Sequence, residues 1–109
     1  MGSGYIRRLW VIARRTLKTF WTRHADAEGP LRAWFAEAGR ASWSNPQDIK
    51  NRYASADFVG TDRVIFNIGG NRYRLIAAVD YARHIVFIKF VGTHAEYDRV
   101  DAATIDISR

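Results

Sequence analysis

The sequence predicts a small α+β protein in which helices come first and a sheet follows. Apolar residues recur at helical spacing in the first half of the chain, whereas from Arg63 onward they alternate with a period of two. The chain has 109 residues, which is enough for one hydrophobic core without covalent staples. Cysteine is absent, so disulfides, thiolate metal sites and cysteine nucleophiles are excluded.

The domain organisation is expected to be simple. Residues 1–8 are predicted to form a disordered leader, because Met1-Gly2-Ser3-Gly4 consists of small and flexible residues. Residues 9–109 are predicted to form a single domain. The longest apolar runs are far shorter than the roughly 20 residues of a membrane helix. We therefore expect no membrane span, and the absence of cysteine fits a cytoplasmic location.

Three helices are predicted before the sheet. A short apolar strand at Leu9–Ala13 precedes the first helix, Arg14–His24. Asp26 is expected to cap the second helix, and Gly39 to end it. The third helix covers residues 45–53 and begins with an asparagine cap followed by proline. The apolar faces of the first two helices comprise Leu17, Phe20, Trp21, His24, Leu31, Trp34, Phe35 and Ala38.

Three strands follow in a predicted antiparallel meander. The first starts at Arg63 and ends at Gly69-Gly70-Asn71, which is typical of a tight hairpin turn. The second covers Arg72–Asp80, and the third covers Ile85–Val91. Ala95–Val100 is predicted to form a last helical turn.

The two turns fix an expected register between the strands. Opposed residues in an antiparallel hairpin have a constant sum of residue numbers, so the glycine turn sets Asn67 beside Arg72 and Tyr73. A second turn near residues 82–83 sets Val91 near Arg74, although this turn lacks glycine and asparagine and allows a shift of one residue. One end of the sheet should therefore hold a polar patch. Its predicted members are Arg74, Lys89, His94 and Tyr97, with Asn67, Asn71 and Arg72 as RNA-binding neighbours.

The patch contains the groups that metal-free RNA cleavage requires. In that reaction the 2′-hydroxyl attacks the adjacent phosphorus, which needs a base, an acid and cations on the phosphate. Arg74 and Lys89 can supply the cations, and His94 is of the residue type that exchanges protons near neutral pH. Tyr97 can hydrogen-bond to a base or stack on it. The net charge of +6, from 17 basic and 11 acidic residues, favours an anionic partner.

Ordinary structural roles also fit these residues. Arginine and lysine on strands are usually solvated or paired with carboxylates, and a lone histidine after a strand is more often a turn residue. Tyr97 can serve packing alone. A metal nuclease built on carboxylates is a weak alternative, because the acidic residues after the last strand fall in a solvated turn. We predict no metal and no cofactor. The acidic residues weighed for that alternative are Asp80, Glu96, Asp98 and Asp101.

Several stretches resemble HigB-type toxins of the RelE-like superfamily. The paired blocks Arg63–Ile76 and Gly92–Asp98 carry the resemblance, and Thr16–Trp21 and Pro30–Trp34 are similar to that family too. The similarity extends over about Leu9 to Ala102, and the leader before it departs from the family pattern.

The resemblance implies a RelE-like fold, with helices packed on one face of an antiparallel sheet and a basic cleft on the other. It implies a toxin that cuts mRNA, commonly on the ribosome, and that is inhibited by a HigA-like helix-turn-helix antitoxin. It also supports roles for Arg74, Lys89, His94 and Tyr97. A non-catalytic module that binds RNA or the antitoxin is the alternative, and a purely structural partner of a larger complex is a third.

Overall fold

The computed structural model describes residues 8–107, so the predicted leader lies outside the described residues except for Arg8. The α+β class is confirmed. No helix within the described range is long and apolar enough to cross a membrane. The elements in chain order are β1 (Trp10–Ile12), α1 (Arg14–Arg23), a 3₁₀ turn (Ala25–Ala27), α2 (Glu28–Arg40), α3 (Pro46–Arg52), β2 (Asp57–Val59), β3 (Arg63–Ile68), β4 (Tyr73–Asp80), β5 (Ile85–Thr93) and α4 (His94–Tyr97).

The predicted helices are present, with one correction at a cap. The α3 prediction is confirmed, since the Asn45 side chain accepts a hydrogen bond from the Asp48 backbone N–H at 3.0 Å. Asp26 does not cap α2. The N-cap residue is Ala27 and makes no side-chain hydrogen bond, because the 3₁₀ turn leads directly into α2. The helix also continues one residue past Gly39.

The sheet has five strands in the order β1-β5-β4-β3-β2. Neighbouring strands are antiparallel except that β1 runs parallel to β5, so the prediction of a wholly antiparallel sheet is wrong at this edge. Parallel pairing follows from the long connection between β1 and β5, since only a tight hairpin would force antiparallel strands. The edge strand β2 was not predicted, because three residues give no clear alternation.

Both hairpins differ in register from the prediction. The first turn contains residues 69–72, so Asn67 lies opposite Arg74 rather than Arg72. Positive φ angles at Gly69, Gly70 and Asn71 make this longer turn possible. In the second hairpin a register shift falls between Ile76 and Ala77, and Lys89 has no residue opposite it. This β-bulge sets Gly92, not Val91, opposite Arg74.

The two faces of the sheet carry different hydrophobic clusters. The larger one joins side chains of α1–α3 to one face of β3–β5 and includes Trp34, Phe66 and Leu75. The smaller one lies on the other face and consists of Ile65, Ile76 and Phe90. Partly buried residues pack against this second cluster. They are Val59, Tyr97, Val100, Ala102 and Ile105.

The segment of residues 98–107 therefore covers the face that was expected to be an open basic cleft. Arg63 fastens it by donating to the carbonyl oxygens of Ala102 at 3.3 Å and Ile105 at 2.7 Å. The Ile107 N–H donates to the Lys89 carbonyl oxygen at 2.9 Å. The middle of this face, at Ile65, Ile76 and Phe90, is thus apolar and covered.

Candidate active site

Arg74 lies at the centre of the candidate site. On β4 it stands between Asn67 of β3 and Gly92 of β5. Its guanidinium carbon lies 4.6 Å from the centre of the Tyr97 ring, a distance at which the ring attracts the cation. Among residues 8–107 Arg74 forms no salt bridge. The structure thus brings together Arg74, Tyr97 and Asn67, and leaves the arginine's charge available for an anion.

Polar atoms without partners are concentrated around this arginine. Within the described residues six buried side-chain nitrogen or oxygen atoms lack a hydrogen bond. Three of them belong to this end of the sheet, namely Asn67 Oδ1, Arg74 Nε and His94 Nε2. Buried polar groups are normally paired, so this concentration is typical of a site that a ligand completes. Asn67 is held by its amide nitrogen, which donates to the Ser55 carbonyl oxygen at 3.4 Å.

The short helix α4 carries His94 and Tyr97. Thr93 and Glu96 form a capping box at its start, with the Thr93 N–H donating to Glu96 at 2.8 Å and the Glu96 N–H to Thr93 at 3.2 Å. This reciprocal pair fixes the direction in which the helix leaves β5. His94 is half-buried at the first helical position, at the same end of the sheet as Arg74.

Gly92 permits α4 to lie this close to the sheet. A Cβ atom at this position would stand 2.6 Å from Phe90 Cζ and 3.0 Å from Glu96 Oε1. Any larger residue would therefore push against both the second cluster and the capping box. In the sequence Gly92 directly follows the apolar run Ile85–Val91, and a glycine at such a position is the signal that could have revealed this close approach.

Lys89 lies apart from Arg74. It is three residues before Gly92 on β5, which corresponds to about 10 Å along the strand. Its ammonium group pairs with the Asp106 carboxylate at 3.2 Å and lies 5.3 Å from the centre of the Phe87 ring. The side chain is 18% exposed. The pairing with a carboxylate is the ordinary structural role weighed for this residue.

Arg72 and Asn71 occupy the hairpin turn, and Arg72 points to the helical side. Its guanidinium pairs with Asp26 at 2.6 Å, and the Tyr73 hydroxyl donates to the same carboxylate. These two bonds lower the pKa of Asp26, and the bond to Asp26 raises that of Tyr73. Asn71 is exposed at a φ of 85°. The sequence could not reveal this network, because Asp26 is 46 residues from Arg72.

Carboxylates and histidines are dispersed over the described structure. No three His, Cys, Asp or Glu side chains of residues 8–107 come close enough together to hold a metal ion.

Comparison with known proteins identifies the family. Residues 27–100 match HigB_toxin, described as the RelE-like toxic component of a toxin-antitoxin system. The chain belongs to the HigB toxin family. The matched range includes every residue of the candidate site, so the family resemblance read from the sequence is confirmed. As the toxic component of such a system, this HigB toxin has an antitoxin as its partner.

Curated relatives are similar over most of their length. The mRNA interferase toxin HigB of Escherichia coli strain K12 is 29% identical over 90 residues, which cover 81% of this chain and 86% of that protein. The proteins named mRNA interferase HigB in Escherichia coli O157:H7 and in Shigella flexneri match to the same extent.

Proposed function

We propose that this HigB toxin is an endoribonuclease that cleaves mRNA through the RNA's own 2′-hydroxyl, without a metal ion. Its relatives bear the name mRNA interferase. The observation that carries the proposal is the Arg74 guanidinium on the Tyr97 ring, at the end of the sheet where three buried polar atoms of residues 8–107 lack hydrogen-bond partners. A scissile phosphate and its ribose would supply the missing charge and hydrogen bonds.

Arg74 is proposed to bind the phosphate and to stabilise the negative charge that builds up on it in the transition state. A guanidinium suits this task because it stays charged and offers several N–H donors in one plane. Tyr97 positions it, since the ring limits the orientations of the guanidinium. The hydroxyl of Tyr97 remains available to hydrogen-bond with the substrate.

His94 is the proposed proton-transfer group. Attack by the 2′-hydroxyl releases a proton, and departure of the 5′-oxygen consumes one. An imidazole performs either step near neutral pH. Within residues 8–107 His94 Nε2 is buried without a hydrogen-bond partner, so a hydroxyl or phosphate oxygen of the bound RNA would be the partner of this nitrogen.

Lys89 receives a more distant role in the proposal. Its pairing with Asp106 and its distance of about 10 Å along β5 from Gly92 support a position outside the reaction centre. A side chain at this distance can bind a phosphate of the same RNA strand that lies next to the scissile one. Lys89 therefore contributes to binding rather than to the chemical step.

Three further residues are proposed to bind RNA. Asn67 offers a buried carbonyl oxygen with no partner beside Arg74. Asn71 lies exposed in the hairpin turn, and the Arg72 side chain is 68% exposed although it pairs with Asp26. These groups extend the recognition surface from Arg74 toward the turn between β3 and β4.

The proposed setting is the bacterial cytoplasm, where the toxin acts on mRNA at the ribosome and a HigA-like helix-turn-helix protein is its antitoxin. Residues 9–109 are proposed to form one RelE-like domain. The family match and the shared sheet of residues 8–107 support this assignment.

A translation reaction with an end-labelled message tests the proposal. We expect the purified chain to cut the message, and Arg74→Ala to cut at least about 100-fold more slowly, the usual loss when one preorganised donor is removed. Arg83→Ala is the matched control, because Arg83 is an exposed arginine in the turn at the other end of the sheet. Intact message at high toxin concentration would instead favour the non-catalytic binding module.

A further inference from the structure

A concave surface whose described lining does not include Arg74 lies at the edge of β5. The strand β1 pairs with residues 85–87 of β5, and among residues 8–107 no further strand pairs with the rest of this edge. Helix α1 and the C-terminal segment border the gap and form a cleft of about 750 Å³. We call it the edge cleft. Its rim includes Arg15, Thr19, Arg23, Arg99, Val100 and Ile107.

The charge of the edge cleft is strongly positive. Arg15, Arg23 and Arg99 line it, and within residues 8–107 none of the three forms a salt bridge. Among the described residues of the lining Glu96 is the single carboxylate, and it accepts a hydrogen bond from the Thr93 N–H in the capping box. The cleft therefore attracts an anionic ligand.

The apolar part of the lining suits aliphatic groups better than nucleic-acid bases. The Phe20 ring is stacked on the His24 ring, with 4.3 Å between the ring centres, and meets the Tyr73 ring edge-on, with 5.3 Å between the centres. Phe90 is only 6% exposed. Neither ring offers a free face on which a base can stack. Ile107, by contrast, lines the cleft and is 46% exposed, so a large apolar side chain there lacks a cover.

We infer that the edge cleft binds a segment of the antitoxin that combines acidic with aliphatic side chains. Carboxylates of such a segment would pair with the three arginines, and its aliphatic side chains would cover Ile107. This inference rests on the toxin-antitoxin assignment and not on the cleavage mechanism. Glu96 belongs to the same short helix as His94 and Tyr97, so an occupant of the cleft contacts the helix that carries two residues of the candidate active site.

A library of random dodecapeptides displayed on phage provides the probe. Panning against the immobilised full chain should enrich peptides rich in Asp and Glu that alternate with Leu, Ile or Val. The most enriched peptide is then synthesised and its Kd measured. We expect the double variant Arg15→Gln, Arg23→Gln to weaken binding by about tenfold or more, since two unshielded charges are lost. Ile107→Ser should weaken it as well.

The control is the double variant Arg40→Gln, Arg83→Gln, which removes the same charge outside the cleft and should leave the Kd unchanged. Thermal melting of each variant checks that the fold is intact. Enrichment without acidic residues, no enrichment at all, or equal weakening in both double variants would overturn the inference. So would displacement of the peptide by octauridylate that depends on Arg15 and Arg23, because the cleft would then be an RNA site. Measuring message cleavage separately keeps these results distinct from a failure of the proposed activity.

Discussion

At the scale of single residues, the groups around each basic side chain distinguish a proposed role in the reaction from a structural role. Lys89 has the Asp106 carboxylate at 3.2 Å and Arg72 has Asp26 at 2.6 Å. Arg74 contacts the Tyr97 ring and forms no salt bridge with a described residue. An aromatic ring holds a cation without neutralising it. A phosphate that approaches Arg74 therefore displaces no competing anion, and this is why the proposal places the reaction there.

Replacing His94 tests proton transfer. We expect His94→Gln to lower the single-turnover cleavage rate by about 100- to 10,000-fold, while the affinity for RNA or ribosomes stays close to that of the wild type. The reason is that proton transfer is required only in the transition state. His84→Asn is the matched control, because His84 lies in the β4–β5 turn at a φ of 58°, which asparagine tolerates.

The two possible failures of this prediction differ. Cleavage at the wild-type rate by His94→Gln would remove histidine from the mechanism and leave Tyr97 as the proton-transfer candidate. Early thermal melting of the variant would show that His94 has a structural role at the start of α4.

Asp26 links the hairpin turn to the helices, and its pKa gives a pH-dependent prediction. Hydrogen bonds from Tyr73 and Arg72 lower the pKa of Asp26 below its ordinary value of 3.8. The stabilisation is therefore present above that value and is lost as the pH falls through the lowered pKa. Asp26→Asn should be less stable than the wild type at neutral pH, and the difference should shrink toward about pH 2.

Urea denaturation of both proteins across this pH range measures the difference in free energy of unfolding. Asp57→Asn, an exposed carboxylate on β2 without a salt bridge among residues 8–107, controls for the loss of one negative charge. A difference between wild type and Asp26→Asn that is constant with pH would contradict the proposed network.

At the scale of elements, the sequence predicted those helices and strands whose formation depends on nearby residues. The helices α1–α3 and the strands β3–β5 follow from apolar periodicity, because each buries one face against the shared core. The position of Arg74, His94 and Tyr97 at one end of the sheet also followed from the turns. The β-bulge at Lys89 could not be predicted, because an extra residue in a strand does not change the pattern of an apolar run. Pairings between distant residues could not be read from the sequence either. These are the parallel contact of β1 with β5, the Arg72–Asp26 pair and the Lys89–Asp106 pair.

The capping box of α4 gives a prediction at this scale. Thr93→Ala removes one of its two hydrogen bonds and should lower the free energy of unfolding by about 1 kcal/mol. It should also slow message cleavage, since α4 sets the positions of His94 and Tyr97. Thr93→Ser keeps the hydroxyl and should restore both properties. Equal losses in the alanine and serine variants would show that the capping hydrogen bond does not position the helix.

At the scale of the whole molecule, the net charge of +6 and its distribution determine how RNA approaches. Within the described part of the chain Arg74 forms no salt bridge, whereas the segment of residues 98–107 supplies the counter-charge of Lys89 through Asp106. The long-range attraction of RNA therefore depends on the charge of the whole surface. Counterions are released from the RNA where a basic side chain without a carboxylate partner neutralises a phosphate.

Salt dependence makes this distinction measurable. We expect the RNA affinity of the chain to fall steeply as the salt concentration rises. Each bound phosphate should steepen the slope of log K against log salt concentration by roughly 0.7. Arg74→Ala should reduce the slope by about that amount. Lys89→Ala should change it less, because Lys89 is already paired. Equal reductions in both variants would mean that RNA displaces Asp106 from Lys89.

The chemical ends of the RNA products test the central claim most directly. The proteins are added to translating ribosomes programmed with a defined message, and the new ends are analysed. Attack by the 2′-hydroxyl predicts a 2′,3′-cyclic phosphate and a 5′-hydroxyl, and a single 2′-deoxy nucleotide at the mapped cleavage position should abolish the cut there. Arg74→Ala should give the same ends at a much lower rate. A 5′-phosphate product, or undiminished cleavage at the 2′-deoxy position, would contradict metal-free attack by the 2′-hydroxyl.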